Sequence, residues 1–178
     1  MANKRMFLED YLFRGKYEEM ARALTSVIDV NSGSKIFNSG VELYMTAAIV
    51  GAAFGLRSEP VSGDKTFRIM ANQFTNHGNE LLFIFKVVML SANKETDENI
   101  DRINNAFKYT SEDEEYQKNA KVFEEYMLGG LTELYNSFIL STNKRYEDYL
   151  TSLNRFVDRF KKQDDTVTEE IDLSGDIF

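Results

Sequence analysis

A chain of 178 residues with 43% hydrophobic and 13% aromatic residues is long enough to bury a substantial core, which excludes general disorder. It has no Cys, so disulfides, thiolate nucleophiles and cysteine-based zinc sets are excluded. The net charge of −8 is concentrated in residues 163–178, which hold six Asp or Glu and no Lys or Arg; the nearly neutral remainder argues against nonspecific binding to nucleic-acid phosphates.

The first residues, Met1 to Arg5, lead into a polar stretch with no apolar leader, and no apolar run approaches the ~20 residues that span a bilayer. The expected location is cytoplasmic. Between residues 4 and 29, Tyr17, Met20, Leu24, Val27 and Ile28 follow the 3–4 spacing of a helix, with a break at Gly15. Asn31-Ser32-Gly33-Ser34 is a turn cluster, and Asn38-Ser39-Gly40 supplies capping oxygens. From Val41 to Phe54 the chain is almost continuously apolar, the mark of a buried helix, with Gly55 as its stop.

A loop spans 56–65 around Pro60, the single proline. A short amphipathic piece follows from Phe67 to Phe74. Leu81 to Leu90, apolar except for Lys86, suits a buried helix better than a strand, because partner strands are lacking. Residues 96–109 read as a surface helix turning Ile100, Ile103 and Phe107 inward. Ser111 to Glu114 has the pattern of a capping box opening a helix through Phe138. Gly129 and Gly130 within it each cost about 1 kcal/mol relative to Ala, so they mark close packing or a kink. A last helix over 143–162 carries an aromatic seam. The fold class expected is all-α: an orthogonal helical bundle over residues 1–162 with a long C-terminal helix or hairpin, then a flexible acidic tail over 163–178.

No catalytic, cofactor-binding or metal-binding residue emerges, and no cofactor is expected. His77, the only histidine, falls at a helix start and reads as an exposed or capping residue. Glu18-Glu19 and Glu124-Glu125 fall where solvated helix faces fall. No glycine is followed by the Lys and Ser/Thr of a phosphate-binding loop.

Three sets of residues are candidates for contact. Tyr149, Leu153, Phe156 and Phe160 form the seam of the last helix, which packs on its own domain or serves as a homodimer interface. Arg155, Arg159 and Lys162 share one face of that helix and, with Arg57, Lys65 and Arg68, are the residues of a nucleic-acid-binding alternative. The tail positions Ile171, Leu173, Asp176, Ile177 and Phe178 alternate acidic and apolar character up to a terminal Phe, the composition of a docking peptide. That ending also resembles the acidic, Phe-terminated tail of bacterial single-stranded DNA-binding proteins, although it has Gly175 and lacks a proline.

Residues 36–51 (Ile-Phe-Asn-Ser-Gly-Val-Glu-Leu-Tyr-Met-Thr-Ala-Ala-Ile-Val-Gly) and 123–131 (Phe-Glu-Glu-Tyr-Met-Leu-Gly-Gly-Leu) resemble segments of small helical proteins associated with bacterial DNA phosphorothioation (Dnd) defence systems. The N-terminal helix region, the last helix and the acidic tail depart from that pattern. The resemblance implies a non-enzymatic accessory role in DNA modification or anti-phage defence, exerted through protein partners such as DNA-processing machinery. It carries no catalytic residue over.

Overall fold

Gly15 divides the N-terminal segment. Strand β1 (Tyr11–Arg14) precedes it and helix α1 (Lys16–Thr25) follows, in a computed structural model that describes residues 6–94, 96–141 and 146–169. The break requires glycine, because its φ is +54° and a Cβ there would stand 2.9 Å from the Ser62 carbonyl oxygen. Helix α1 buries Tyr17, Ala21 and Leu24 but ends before Val27 and Ile28, contrary to their helical spacing. The Thr25 and Ser26 hydroxyls donate to the carbonyls of Ala21 (2.8 Å) and Arg22 (2.6 Å), satisfying the last turn. The β-branched pair then enters strand β2 (Val27–Asp29), which pairs antiparallel with β3 (Ser34–Lys35) across the expected turn.

The apolar run forms helix α2 (Gly40–Ala53). Ser39 caps it by accepting from the Glu42 amide at 3.3 Å, while the Glu42 carboxylate reaches back to the Asn38 amide at 3.1 Å. Gly55, at φ +64°, follows it as expected, and the Leu56 amide closes on the Gly51 carbonyl at 2.8 Å. The piece expected from Phe67 to Phe74 is two elements: strand β4 (Thr66–Ile69), antiparallel to β1, and helix α3 (Ala71–Thr75). The carboxylate of Asp10 joins them by accepting from the Ala71 amide (2.8 Å) and from Arg68, and these two donors hold its pKa below the usual carboxylate value.

Helix α4 (Gly78–Ser91) buries Leu81, Ile84, Phe85, Val88 and Met89 but leaves Leu82, Phe83 and Leu90 outside. Helix α5 (Asn99–Phe107) departs further from expectation: Ile100, Ile103 and Phe107 are 57%, 47% and 60% exposed rather than turned inward. Its other face is anchored by polar groups. The buried Asn119 amide donates to both the carbonyl and the side-chain oxygen of Asn105 (3.2 Å each), and the small Ala106 fits against the core.

Helix α6 (Glu114–Tyr135) begins with Asp113 at its N-cap, so the box expected from Ser111 does not form. The Asp113 carboxylate instead turns back to the Thr110 amide (2.7 Å) and hydroxyl (3.0 Å). A π-helical turn (Asn136–Leu140) follows, and helix α7 (Tyr146–Glu169) runs beyond its expected end at 162. The chain is thus largely helical, with two small two-stranded sheets added. No helix among the described residues is long and apolar enough to cross a membrane.

The largest helix–helix interface joins α2 to α6 through backbone. A Cβ on Gly51 would lie 1.8 Å from the Tyr126 carbonyl oxygen, and one on Gly130 would lie 1.9 Å from that of Ala47. Gly129 similarly admits the Leu56 carbonyl, at 2.2 Å from the position of its absent Cβ. Above this crossing Phe7, Tyr11, Phe13, Tyr44, Phe74 and Phe123 pack ring to ring. Gly130→Ala therefore destabilises by about 1–3 kcal/mol or more, as overpacking against rigid backbone does. Gly78→Ala, at an open position, changes stability by less than about 1 kcal/mol. Chemical denaturation of the two variants checks the contrast.

Candidate interaction site

The seam of α7 lies against its own chain. Phe156 is buried between Phe54 (ring centroids 5.9 Å apart) and Phe138 (5.5 Å), Phe160 stacks edge-on to Phe54 at 5.4 Å, and Tyr149 is buried. Arg159 donates to Glu133 at 2.6 Å and covers the Phe54 ring at 5.1 Å, which fastens the helix flank. Arg155 and Lys162 are exposed on the same flank.

One side of α7 is left open. Leu150 and Leu153, each 46% exposed, and Val157 stand along an apolar groove. Its first part, about 370 Å³, runs between α7 and the β2–β3 hairpin over Phe37, Leu134 and Phe156. Its second, about 330 Å³, continues past Ile49 and Val50 of α2 to Lys161, and the two parts share Thr46 and Phe156. Lys35 and Lys161 stand at the two parts. The tail positions Ile171, Leu173, Asp176, Ile177 and Phe178 lie outside the described residues.

Of the remaining candidate cations, Lys65 is exposed, whereas Arg57 and Arg68 each face a carboxylate. Arg68 pairs with Asp10. Arg57 bonds to Glu125, donates to the Asn93 side-chain oxygen at 3.1 Å and lies over the Tyr126 ring at 5.4 Å. Glu125 is buried and its carbonyl also accepts from the Ser58 amide at 2.9 Å, so this cluster clamps the segment after α2 onto α6. Glu18 is likewise buried and paired with Arg22 at 2.6 Å. Neither carboxylate lies on the solvated face that its sequence position predicts: each is buried beneath an arginine that stays at the surface and pairs with it. Sequence reading missed the Arg57–Glu125 clamp; its traceable signal is Gly129, one turn beyond Glu125, which lets the loop backbone settle on α6.

A cleft of about 280 Å³ beside β1 contains the nearest approach to an acid–base pair. The Tyr11 hydroxyl donates to Glu124 at 2.9 Å. Burial first, and then the charge of Glu124, push the Tyr11 phenol well above its ordinary value, and burial does the same to Tyr44. A phenol so raised remains protonated through the neutral range and is poorly matched to proton transfer there. His77 stands at the start of α4, half-buried, with no capping bond from its side chain. Among the described residues no three His, Asp or Glu side chains gather as a metal site.

Comparison of the chain with protein-family models, curated proteins and solved structures gives no match.

The raised phenols fix a pH response. Unfolding releases Tyr11 and Tyr44 to the ordinary tyrosine pKa of about 10, so above that pH the unfolded chain binds fewer protons than the folded one. Their contribution to stability is complete below about pH 10 and declines as pH rises beyond it. Denaturant titrations at increasing alkaline pH should show this decline. Tyr44→Phe should lessen it, and an unchanged slope in that variant would assign the effect to other groups.

Proposed function

We propose that this chain is a non-enzymatic contact protein, an accessory of a bacterial DNA-modification or anti-phage system that works by binding another protein. The observation that carries the contact reading is the groove beside α7. Leu150, Leu153 and Val157 recur at i, i+3 and i+7 on a helix already fastened by its buried rings, so their exposure is imposed by the packing of the opposite face. A groove with such walls accepts the apolar side of a helix or extended segment from a partner. The tail residues Ile171 to Phe178 supply, by composition, a second contact element.

The defence-system part rests on the two resembling segments, residues 36–51 and 123–131. They correspond to the approach to α2 with most of that helix, and to the glycine-bearing middle of α6. Their likeness therefore concerns residues that build the helix crossing. Nucleic-acid binding is the less favoured alternative, since Arg57, Arg68 and Arg159 each already face a carboxylate.

Two manipulations test the reading in the native host. Affinity purification of the wild-type chain should bring down a defined protein partner, and Leu153→Asp or deletion of residues 171–178 should remove it while the thermal transition is retained. Identical partner sets from all three chains would overturn the contact reading. Fluorescence anisotropy with DNA at low salt should show no binding; an affinity falling steeply with salt would favour the alternative. Genes lying next to DNA-modification genes support the defence role, and unrelated neighbours contradict it.

A further inference from the structure

The α4–α5 face shares no lining residue with the α7 groove. Its outward side chains are Leu82, Phe83 and Leu90 of α4 and Ile100, Ile103 and Phe107 of α5. Lys86 Nζ, 5.0 Å from the centroid of the Phe107 ring, joins the two rows into one surface. Phe83 is the most exposed of the six at 66%. Helix α5 is inverted relative to its own amphipathicity. It turns Asn105 and Ala106 toward the core and apolar residues outward, and Arg102 Nε is buried without a hydrogen-bond partner. A helix so placed gains little from burial in the isolated chain.

We infer that this face is the interface of a homodimer, in which α5 packs antiparallel against α5 of a second copy about a two-fold axis near Ile103. The occupant is a second copy because the pattern is self-complementary. Antiparallel pairing sets Ile100 against Phe107 of the partner subunit and brings the Ile103 side chains together at the axis. The acidic start of α5, Glu98 and Asp101, comes opposite Lys108 of the partner subunit. The area agrees. The six side chains expose on the order of 600 Å², the upper end for the largest apolar patch of a monomer, and with their polar rim they approach the ~800 Å² that each partner gives to a standard interface. The chain's net charge of −8 opposes self-association only weakly at physiological salt, where charges farther apart than about 8 Å are screened.

Sedimentation velocity and light scattering of the full chain over a concentration series test this directly. The wild type should be a dimer. Phe83→Asp and Phe107→Asp, on different helices and both at exposed positions, should each weaken dimerisation by roughly 30-fold or more while keeping the wild-type circular dichroism and thermal transition. Asp101→Lys and Lys108→Asp should each weaken the dimer, and the two together should restore it. A monomeric wild type, or a dimer that both Asp variants leave unchanged, overturns the inference. So does a charge pair that fails to restore association. Leu153→Asp, in the α7 groove, should leave the dimer intact, so failure of this interface is distinguishable from failure of the groove.

Discussion

The structure depends on two helices meeting backbone to backbone. The hydrogen in the side-chain position of Gly51 points at the Tyr126 carbonyl, and that of Gly130 points at the Ala47 carbonyl. The contact is reciprocal, and it aims weakly polar Cα–H groups at carbonyl oxygens. Any side chain larger than hydrogen would separate the helices and shift every residue carried on them. In isolation the glycines disfavour helix, at about 1 kcal/mol each. In α6 that cost is offset by the apolar surface which the close approach removes from water: Leu43, Ala47 and Ala48 of α2, and Phe123, Met127 and Leu131 of α6, are all fully or nearly fully buried.

From this crossing the remaining features follow in sequence. With α6 fixed against α2, Gly129 admits the Leu56 carbonyl, and Glu125 one turn earlier receives Arg57. Phe123 and Glu124, on the neighbouring turn, meet the aromatic cluster and Tyr11. Beyond the π-helical turn, Phe138 and Phe54 present the rings on which Phe156 and Phe160 seat α7. The well-packed centre thus determines which side chains remain outside, and the two apolar surfaces left over, beside α7 and across α4–α5, lie at the periphery of the same framework.

Much of this was legible in the residue pattern where packing obeys local rules. The capped, apolar α2, the stop at Gly55 and the close-packing role of Gly129-Gly130 all follow from residue type and spacing. Other features were not legible, because tertiary contacts override periodicity. Val27 and Ile28 continue a helical spacing, yet Thr25 and Ser26 end the helix by satisfying its carbonyls. Strands β1 and β4 are four residues each and pair across more than fifty positions, too short and too distant for a period to reveal. The outward turn of Ile100, Ile103 and Phe107 contradicts the amphipathic reading, because Asn119 of a separate helix holds Asn105. At the candidate site the α7 residues were correctly placed on one helix. Which of them are buried, and that Arg159 is engaged by Glu133, depend on elements remote in sequence.

The glycine-mediated α2–α6 crossing is the rigid framework, and the apolar surfaces beside α7 and across α4–α5 are peripheral to it. Native-state hydrogen exchange measures this most directly, since amides that open only on global unfolding identify the framework. Exchange should be slowest at residues 47–51 and 126–130, with free energies equal to global stability, and faster in α5 and α7. Local opening of the 47–51 and 126–130 amides while α7 remains protected would contradict it.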